Sequence, residues 1–286
     1  MIKNQLKTAI LLGLLTGLFL LIGALIGGRT GLIIGLLLAV TMNFLTYWFS
    51  ARMVLWIYRA KEADKKKHAD LYAMVKELAV AARLPQPKVY IVDTPHANAF
   101  ATGRDYNHAV IAVTTGILNL LSAAELRGVL SHELSHVKNR DILISSIAAT
   151  IAGVISYVAM MARWSALLGG FGGNDDNRGM GIVELLVLGI IAPLMAMIIQ
   201  LAISRSREYL ADESGAKLGK DPLALASALE KIHRHAAAVP LRVMGTTEAT
   251  AHLFIENPFK GGAFLNLFST HPPMEKRVQR LKAMKV

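Results

Sequence analysis

Residues 8–28, TAILLGLLTGLFLLIGALIGG, and residues 30–51, TGLIIGLLLAVTMNFLTYWFSA, contain no charged side chain, and only Arg29 separates the two runs. Each run reaches the length of about 20 apolar residues that a helix needs to cross the bilayer core. Because the turn around Arg29 is short and rich in glycine, the two runs are predicted to form a transmembrane helical hairpin. The alternative for the first run is a cleaved signal peptide, but the run is long for one and a second apolar run follows at once.

Two further uncharged runs, residues 142–162 and 185–204, have a similar length and composition. The sequence therefore predicts four transmembrane helices, with a glycine-rich outer loop over residues 163–184. Hydrophobic residues make up 53% of the chain and charged residues only 18%, against roughly 25% charged in soluble proteins. This composition excludes a disordered chain. Because there is no cysteine, disulfides and thiolate metal sites are also excluded.

The charges are divided unevenly between the two sides of the predicted membrane. Of the 31 basic residues, 28 fall on the side that holds both termini and residues 52–141, together with 17 of the 20 acidic residues. The positive-inside rule predicts that this side is cytoplasmic and that the protein is a multi-pass protein of the cell membrane. Topology explains the net charge of +11, so no nucleic-acid partner is needed. A basic cluster after the second run is typical of contact with anionic lipid; its members are Arg59, Lys61, Lys65, Lys66 and Lys67.

Two cytoplasmic segments remain, residues 58–141 and 205–286, and neither is long, so we expect them to fold together as one domain. The first segment is predicted to contain a helix over about 62–83 and strands at Lys88–Val92 and Ala109–Val113. The second segment is predicted to be helical. The expected fold is mainly α: a hairpin over residues 1–57 and two more spans within residues 142–204, joined to a cytosolic α+β domain with a small β-sheet.

A further helix is predicted to begin at Ser122, whose spacing to Glu125 is that of a capping box. This helix carries His132-Glu-Leu-Ser-His136. Residues four apart share one helix face, so both imidazoles can bind a single Zn²⁺. Glu133 is then the general base for a zinc-bound water that attacks the peptide carbonyl. Chance predicts ~0.01 such motifs in a chain of this composition, which disfavours the alternative of ordinary surface residues.

A hydrolytic zinc site needs a third protein ligand, and Glu208 is the candidate. His136 precedes the third run by six residues and Glu208 follows the fourth by four, so both are predicted to lie at a similar height above the membrane. Asp212, one turn after Glu208, is a candidate to bind the non-ligating nitrogen of a zinc-bound histidine. The alternatives are that Glu208 is an ordinary charged residue at a helix end and that Asp212 pairs with Arg205 or Arg207, or caps the following helix.

Together with Asn98-Ala-Phe-Ala-Thr-Gly103 and the tail Thr270-His-Pro-Pro-Met-Glu-Lys-Arg277, these motifs resemble the HtpX-type membrane zinc metalloproteases, which are related to the CAAX prenyl endopeptidases. The resemblance covers most of the chain. It implies a zincin-like metalloprotease domain with one Zn²⁺ per chain. It also implies endopeptidase activity on misfolded or damaged membrane proteins, as part of membrane quality control and the stress response.

Two further residues are candidates for the site. His271 is a candidate to stabilise the developing oxyanion; the alternative is a turn histidine before two prolines. The stretch over residues 98–103 is a candidate sheet edge to which an unfolded substrate adds as a strand. Asn98 is a candidate substrate contact, and an ordinary loop asparagine explains it equally well.

Three alternative functions can be compared with the sequence. Transporters usually place ionisable groups within their spans, and the four runs contain none, which disfavours a transporter or a non-catalytic membrane scaffold. An intramembrane zinc protease needs its motif inside a span, but charged residues flank it here. A prenyl-protein processing protease of the related family remains the alternative enzyme, although four spans are few for the enclosed chamber of that family. The charged residues beside the motif are Arg127, Lys138, Arg140 and Asp141.

Overall fold

The computed structural model of the chain describes residues 2–148, 205–238, 253–255 and 272–285. Within these ranges the protein is mostly helical, with one small mixed sheet. The predicted loop over 163–184, the fourth predicted span and most of the third lie outside the described residues, as does His271. Residues 142–148, where the third predicted span begins, are helical.

The N-terminal apolar runs form helix α1, Ile2–Ile57, which folds back on itself where Gly28 takes a positive φ of 54°. A Cβ on Gly23 would collide with the carbonyl group of Gly31, so glycine at both positions lets the two arms touch. Between the arms, the side-chain amide of Asn43 donates to Thr16 Oγ1 over 2.8 Å. The two runs therefore fold as a helical hairpin, stabilised by close backbone packing and by hydrogen bonds from Asn43 to Thr16 and Leu12, and its transmembrane placement stays a prediction.

In length and composition, one helix among the described residues is suited to cross a membrane, the second arm Gly28–Ile57. The first arm contains the shorter apolar stretch Thr8–Leu21. Large hydrophobic side chains on the second arm face outward, since Ile33, Leu37 and Val40 are each more than half exposed. Four membrane spans therefore stay a prediction, and the described part of the chain supports a membrane-associated hairpin.

The sheet consists of four strands in the order β1-β2-β4-β3. Strand β1 is Lys61–Glu62, β2 is Lys88–Val92, β3 is Ala99–Thr102 and β4 is Val110–Thr114. Strands β2 and β4 are parallel, whereas β1 pairs antiparallel with β2 and β3 antiparallel with β4. Strand β3 therefore stands at one edge of the described sheet.

Six further helices with defined bounds follow α1 in the described ranges, besides the helical residues 142–148. After α1 these are α2, Ala69–Ala82; α3, Thr115–Leu120; α4, Ala123–Lys138; α5, Arg205–Gly219; α6, Pro222–Ala238; and α7, Met274–Lys282. Helix α4 is central, since it packs against α2, β3, α5 and α6. Apolar side chains from the sheet and these helices form one core, which includes Val75, Ile111, Leu130, Leu134 and Leu229.

The predicted helix over about 62–83 begins later than expected. The structure has a short strand at Lys61–Glu62 and a turn at Asp64, whose carboxylate accepts the backbone N–H groups of Lys66 and Lys67. Helix α2 then starts at Ala69. Aspartate competes with helical hydrogen bonding through such local contacts, and this explains the difference.

Candidate metal centre

The start of helix α4 is fixed by the predicted capping box. Ser122 Oγ accepts the backbone N–H of Glu125, whose carboxylate accepts the backbone N–H of Ser122. The same carboxylate binds Ser227 and Lys231 of α6 over 2.6 and 2.8 Å. Although burial opposes the charge, these hydrogen bonds lower the pKa of Glu125 to about 2. A permanent negative charge thus stabilises the N-terminus of the helix that carries the motif.

Helices α4 and α5 are in close contact at Gly215. A Cβ at this position would lie 2.8 Å from the Cα of His132, so only glycine permits the observed spacing. Glu208 lies seven residues before Gly215, about two helical turns, and therefore on the same face of α5. The close contact turns Glu208 towards the imidazoles of His132 and His136.

Three potential ligand atoms converge between these helices. His132 Nε2 lies 3.2 Å from His136 Nε2. The Glu208 carboxylate oxygens lie 3.8 Å from His132 Nε2 and 3.6 Å from His136 Nε2. His132 and Glu208 are buried, and His136 is partly exposed. The structure thus brings together the three residues that the sequence analysis named as zinc ligands.

The arrangement fits a tetrahedral zinc ion. Bonds of about 2.0–2.1 Å in a tetrahedral site place ligand atoms ~3.3–3.4 Å apart. The two Nε2 atoms are 3.2 Å apart, and they lie 3.8 and 3.6 Å from different oxygens of Glu208. With one ligand atom from each residue, the three atoms lie within 4.8 Å of one another, somewhat wider than the tetrahedral spacing. Two imidazoles and one carboxylate are also a donor set of catalytic zinc sites, in which one position stays open. On this geometry, His132, His136 and Glu208 are suited to hold Zn²⁺.

Carboxylates face the other nitrogen of each imidazole. His132 Nδ1 lies 3.0 Å from Asp212 and His136 Nδ1 lies 3.4 Å from Asp141. A carboxylate at Nδ1 favours the proton there and leaves Nε2 as the lone pair for a metal. Although burial disfavours a charged imidazole, the hydrogen bond to Asp141 and the charge of Glu208 raise the pKa of His136 to about 9. The carboxylates of Asp141 and Glu208 thus favour a positive charge between the imidazole rings of His132 and His136.

A fully buried arginine holds the carboxylates behind the site. Arg277 in α7 donates to both oxygens of Asp212, over 2.8 and 2.7 Å, and its Nη1 lies 3.5 Å from Glu208. Although burial opposes ionisation of Asp212, Arg277 and His132 lower its pKa to about 2. Asp212 therefore keeps its charge, and one guanidinium group bridges two carboxylates of the site.

Glu133 points to the edge strand. Its Oε2 accepts the backbone N–H of Ala101 in β3 over 3.0 Å. Burial raises the pKa of Glu133, which moves the carboxyl group towards the range in which a general base works at neutral pH. Glu133 is therefore placed between the histidine pair and the strand to which a substrate would add.

Of the other predicted site residues, Asn98 lies outside this cluster. Asn98 is buried, and its side-chain amide binds the chain itself, donating to the carbonyl oxygen of Leu253 over 3.2 Å and accepting the N–H of Ile255 over 3.0 Å. This contact anchors residues 253–255 beside the sheet. A substrate contact by Asn98 stays a prediction, as does the oxyanion role of His271, which lies outside the described residues.

Two residues of the site are missing from the sequence-based prediction, Arg277 and Asp141. Arg277 closes the tail motif that carried part of the resemblance, but nothing in the surrounding charged sequence marks it as buried. Asp141 comes just after helix α4, and the sequence identifies it only as a charged residue flanking the motif. Its position five residues after His136, just beyond the end of α4, was the available signal.

A model of peptidase family M48 matches residues 65–285 of the chain. The chain is 54% identical over 283 residues to a protein from Persephonella marina named "Protease HtpX homolog", covering 98% of this chain and 97% of that protein. Proteins with the same name from Desulfatibacillum aliphaticivorans and Burkholderia thailandensis are 51% and 50% identical, covering 97% and 98% of this chain and 89% and 97% of theirs. These findings confirm the resemblance drawn from the motifs.

The fold is also similar to a solved structure, the crystal structure of S. mikatae Ste24p, with a TM-score of 0.52 at 19% identity. The alignment covers 98% of this chain and 66% of that one. At this identity the likeness concerns the fold alone.

Proposed function

The chain belongs to peptidase family M48 and is a metalloendopeptidase, and on this premise we propose that it is a zinc-dependent membrane protease that cleaves misfolded or damaged membrane proteins at the cytoplasmic face. The observation that carries the zinc assignment is the convergence of His132, His136 and Glu208, whose ligand atoms all lie within 4.8 Å of one another. One ion per chain satisfies this set. Catalysis then depends on the residues around the ion.

A bound Zn²⁺ supplies Lewis acidity, which lowers the pKa of water and polarises a carbonyl group. Glu133 accepts the proton of the attacking water and transfers it to the leaving amine, since its buried carboxyl group is held beside the site by Ala101. Asp212 and Asp141 hold the imidazole rings in the orientation that presents Nε2. His271, at the entry to α7, is the proposed donor to the developing oxyanion.

Strand β3 offers a means of binding unfolded substrates. It stands at the edge of the described sheet, where its four residues are buried. The N–H of Ala101 points away from β4 and is accepted by Glu133, so a peptide that adds here must displace that carboxylate. An extended peptide that adds alongside β3 gains main-chain hydrogen bonds with little dependence on sequence. Such binding places a peptide bond beside Glu133 and suits an enzyme whose substrates are recognised as unfolded. Asn98, just before β3, is a proposed contact at the end of this edge.

The proposed orientation places both termini and residues 58–141 and 205–286 in the cytoplasm, with spans at 142–162 and 185–204 in addition to the hairpin. Its support is the distribution of basic residues and the apolar outer face of the hairpin. Cleavage of a destabilised membrane protein in proteoliposomes tests the function. The purified chain should cleave it, lose activity with a chelator and regain it with Zn²⁺.

A folded version of the same membrane protein and a prenylated C-terminal peptide serve as comparison substrates. Rapid cleavage of the prenylated peptide with no preference for the destabilised protein would favour the processing-protease alternative. Cleavage that survives complete metal removal would contradict the zinc mechanism altogether.

A further inference from the structure

The side-chain hydroxyl of Ser146 joins the end of strand β3 to the helical residues 142–148, where the third predicted span begins. Ser146 is fully buried. Its Oγ lies 2.6 Å from Thr102 Oγ1 and accepts the backbone N–H of Gly103 over 3.2 Å. Since Thr102 is the last residue of β3, this one hydroxyl contacts the end of the edge strand through both a side chain and the backbone.

The direction of these hydrogen bonds follows from a further contact of the same hydroxyl. Ser146 Oγ donates to the carbonyl oxygen of Ile142 over 2.7 Å, and a carbonyl oxygen can only accept. Because a hydroxyl group carries a single hydrogen, Thr102 must be the donor to Ser146. Removal of the Ser146 hydroxyl therefore takes an acceptor from two buried donors, the Thr102 hydroxyl and the Gly103 N–H, which is costly in a protein interior.

Strand β3 has different partners on its two sides. On one side it pairs antiparallel with β4. On the other side Glu133 accepts the N–H of Ala101, and Ser146 binds the end of the strand. A peptide that adds alongside β3 must displace Glu133 from Ala101. The hydrogen bonds of Ser146 are then the side-chain contacts that, among the described residues, still hold this end of β3, so they matter most when substrate is bound.

The segment that carries Ser146 also packs against the helix of the metal ligands. Ile142 belongs to one apolar cluster with Ala101 of β3 and Val137 of α4. Asp141, which directly precedes the segment, lies 3.4 Å from His136 Nδ1. The segment over residues 142–148 therefore lies between the proposed substrate strand and the proposed zinc ligands, and its contacts fix the position of one relative to the other.

We propose that Ser146 is a positioning residue for substrate binding, which holds β3 at the distance from the metal centre that an added peptide requires. The inference rests on the proposed function, in which β3 is the strand that binds the substrate. Ser146 acts through Thr102 and Gly103 and not on the reacting atoms. Loss of its hydroxyl should therefore weaken the binding of an unfolded substrate and leave the chemical step and the zinc content unchanged.

The test is to compare KM and kcat of the zinc-loaded full chain and its variant Ser146→Ala, with an unfolded membrane protein as substrate. KM should rise about tenfold, since the loss of a buried hydrogen bond that leaves its donors in place typically costs a factor of this size. The value of kcat and the zinc content should stay those of the wild-type chain. Ser145→Ala is the matched control, because Ser145 also donates to a carbonyl oxygen four residues earlier, that of Asp141 over 3.3 Å. Both constants should be unchanged in that control.

Thr102 provides a second pair of variants, so that the test does not depend on the folding of Ser146→Ala. Thr102→Val keeps the branched shape of the side chain and removes the donor, so KM should rise as it does in Ser146→Ala. Thr102→Ser keeps the hydroxyl and should have a KM close to that of the wild-type chain. The double variant Ser146→Ala with Thr102→Val should raise KM little beyond Ser146→Ala alone, because both changes remove the same hydrogen bond.

Amide hydrogen exchange gives a reading that does not depend on activity. Exchange in residues 99–103 should be faster in Ser146→Ala than in the wild-type chain, whereas exchange in β2 should be unchanged. An unchanged KM in Ser146→Ala and Thr102→Val, a fall in kcat at constant KM, or unchanged exchange in residues 99–103 would overturn the proposal. A lower KM would also overturn it, because Ser146 would then obstruct the edge of β3.

A failure of the proposed function would look different. The wild-type chain itself would then leave the unfolded substrate intact, and hydrogen exchange would still show whether Ser146 holds β3.

Discussion

Arg277 and Asp212 form a two-point ion pair in the interior, with Nε 2.8 Å from Oδ2 and Nη2 2.7 Å from Oδ1. Arg277 is 0% exposed and Asp212 only 4%. Asp212 Oδ1 lies 3.0 Å from His132 Nδ1 on one side, and Arg277 Nη1 lies 3.5 Å from Glu208 on the other. The pair thus contacts two of the three proposed zinc ligands, and we therefore expect Arg277 to position these ligands.

Arg277→Lys should weaken zinc binding. Lysine keeps a positive charge but cannot bind both oxygens of Asp212 at once, so Asp212 and Glu208 lose their fixed orientation. Changes at residues that orient metal ligands typically cost about 10–100-fold in metal affinity. Competition with a zinc-binding dye measures this directly. Lys276→Gln, an exposed neighbour on the same helix, should bind zinc as the wild-type chain does, and equal affinity in both variants would exclude the positioning role.

Glu208→Gln tests the third ligand. The amide retains the shape of the side chain but is a poor metal ligand, so the purified variant should lose most of its zinc during dialysis. The matched variant Glu213→Gln lies on the same helix, exposed and paired with Lys217 over 2.6 Å. Metal analysis should show normal zinc in that control. Full zinc occupancy in Glu208→Gln would mean that another residue supplies the third ligand.

Glu133→Gln separates chemistry from metal binding. Because Glu133 is the proposed proton acceptor, kcat should fall at least about 100-fold, as general bases typically contribute 10²–10⁴-fold. The amide oxygen can still accept the N–H of Ala101, so the fold and zinc content should be unchanged. Elemental analysis combined with cleavage of an unfolded membrane substrate gives both readings. Normal turnover would remove the general-base assignment.

Local patterns predict helix α4 well, because its determinants are close in sequence. The capping box at Ser122 and Glu125 and the four-residue spacing of the histidines specify α4. Glu208 was predicted from its distance to a membrane span, which is a long-range argument. Glu208 lies beside the histidines because helices α4 and α5 are in close contact at Gly215. No local sequence pattern predicts that contact.

The burial of the positive charge of Arg277 is harder to predict from the sequence. Arg277 lies in Met274-Glu-Lys-Arg-Val-Gln-Arg-Leu-Lys282, where four basic residues look alike in sequence. Only the packing of α7 against α5 and α6 distinguishes the fully buried Arg277 from the exposed Arg280. Strand β1 was missed for a similar reason, since two residues carry no periodicity and form a strand only by pairing with β2.

The carboxylate of Glu125 should make the stability of the folded protein depend on pH. Its pKa is about 2 in the folded protein against an ordinary value of 4.5. A lowered pKa means that the stabilisation is complete above the unfolded pKa and is lost as the pH falls from about 4.5 towards 2. Glu125→Gln should therefore lower the thermal midpoint at pH 7, and the difference from the wild-type chain should shrink as the pH approaches 3. A difference that stays constant over this range would contradict the charge-based account.

In the variant Gly215→Ala, helix propensity and packing have opposite effects on the stability of the protein. Alanine in a helix interior is favoured over glycine by roughly 0.5–1 kcal/mol, so propensity alone predicts a more stable protein. The new Cβ would lie 2.8 Å from the Cα and 2.9 Å from the N of His132. Because these are backbone atoms, α5 must move away from α4, at an overpacking cost of about 1–3 kcal/mol. The packing cost exceeds the gain, so the thermal midpoint should fall.

The same displacement moves Glu208 away from His132 and His136, so zinc affinity should fall together with stability. Ser214→Ala is the matched control, because Ser214 is the adjacent residue and, among the described parts of the chain, its hydroxyl bonds only to the carbonyl oxygen of Leu210 within its own helix. That variant should gain or keep stability and bind zinc normally. A more stable Gly215→Ala variant with unchanged zinc affinity would show that the two helices can separate without cost, and that their close contact does not set the ligand geometry.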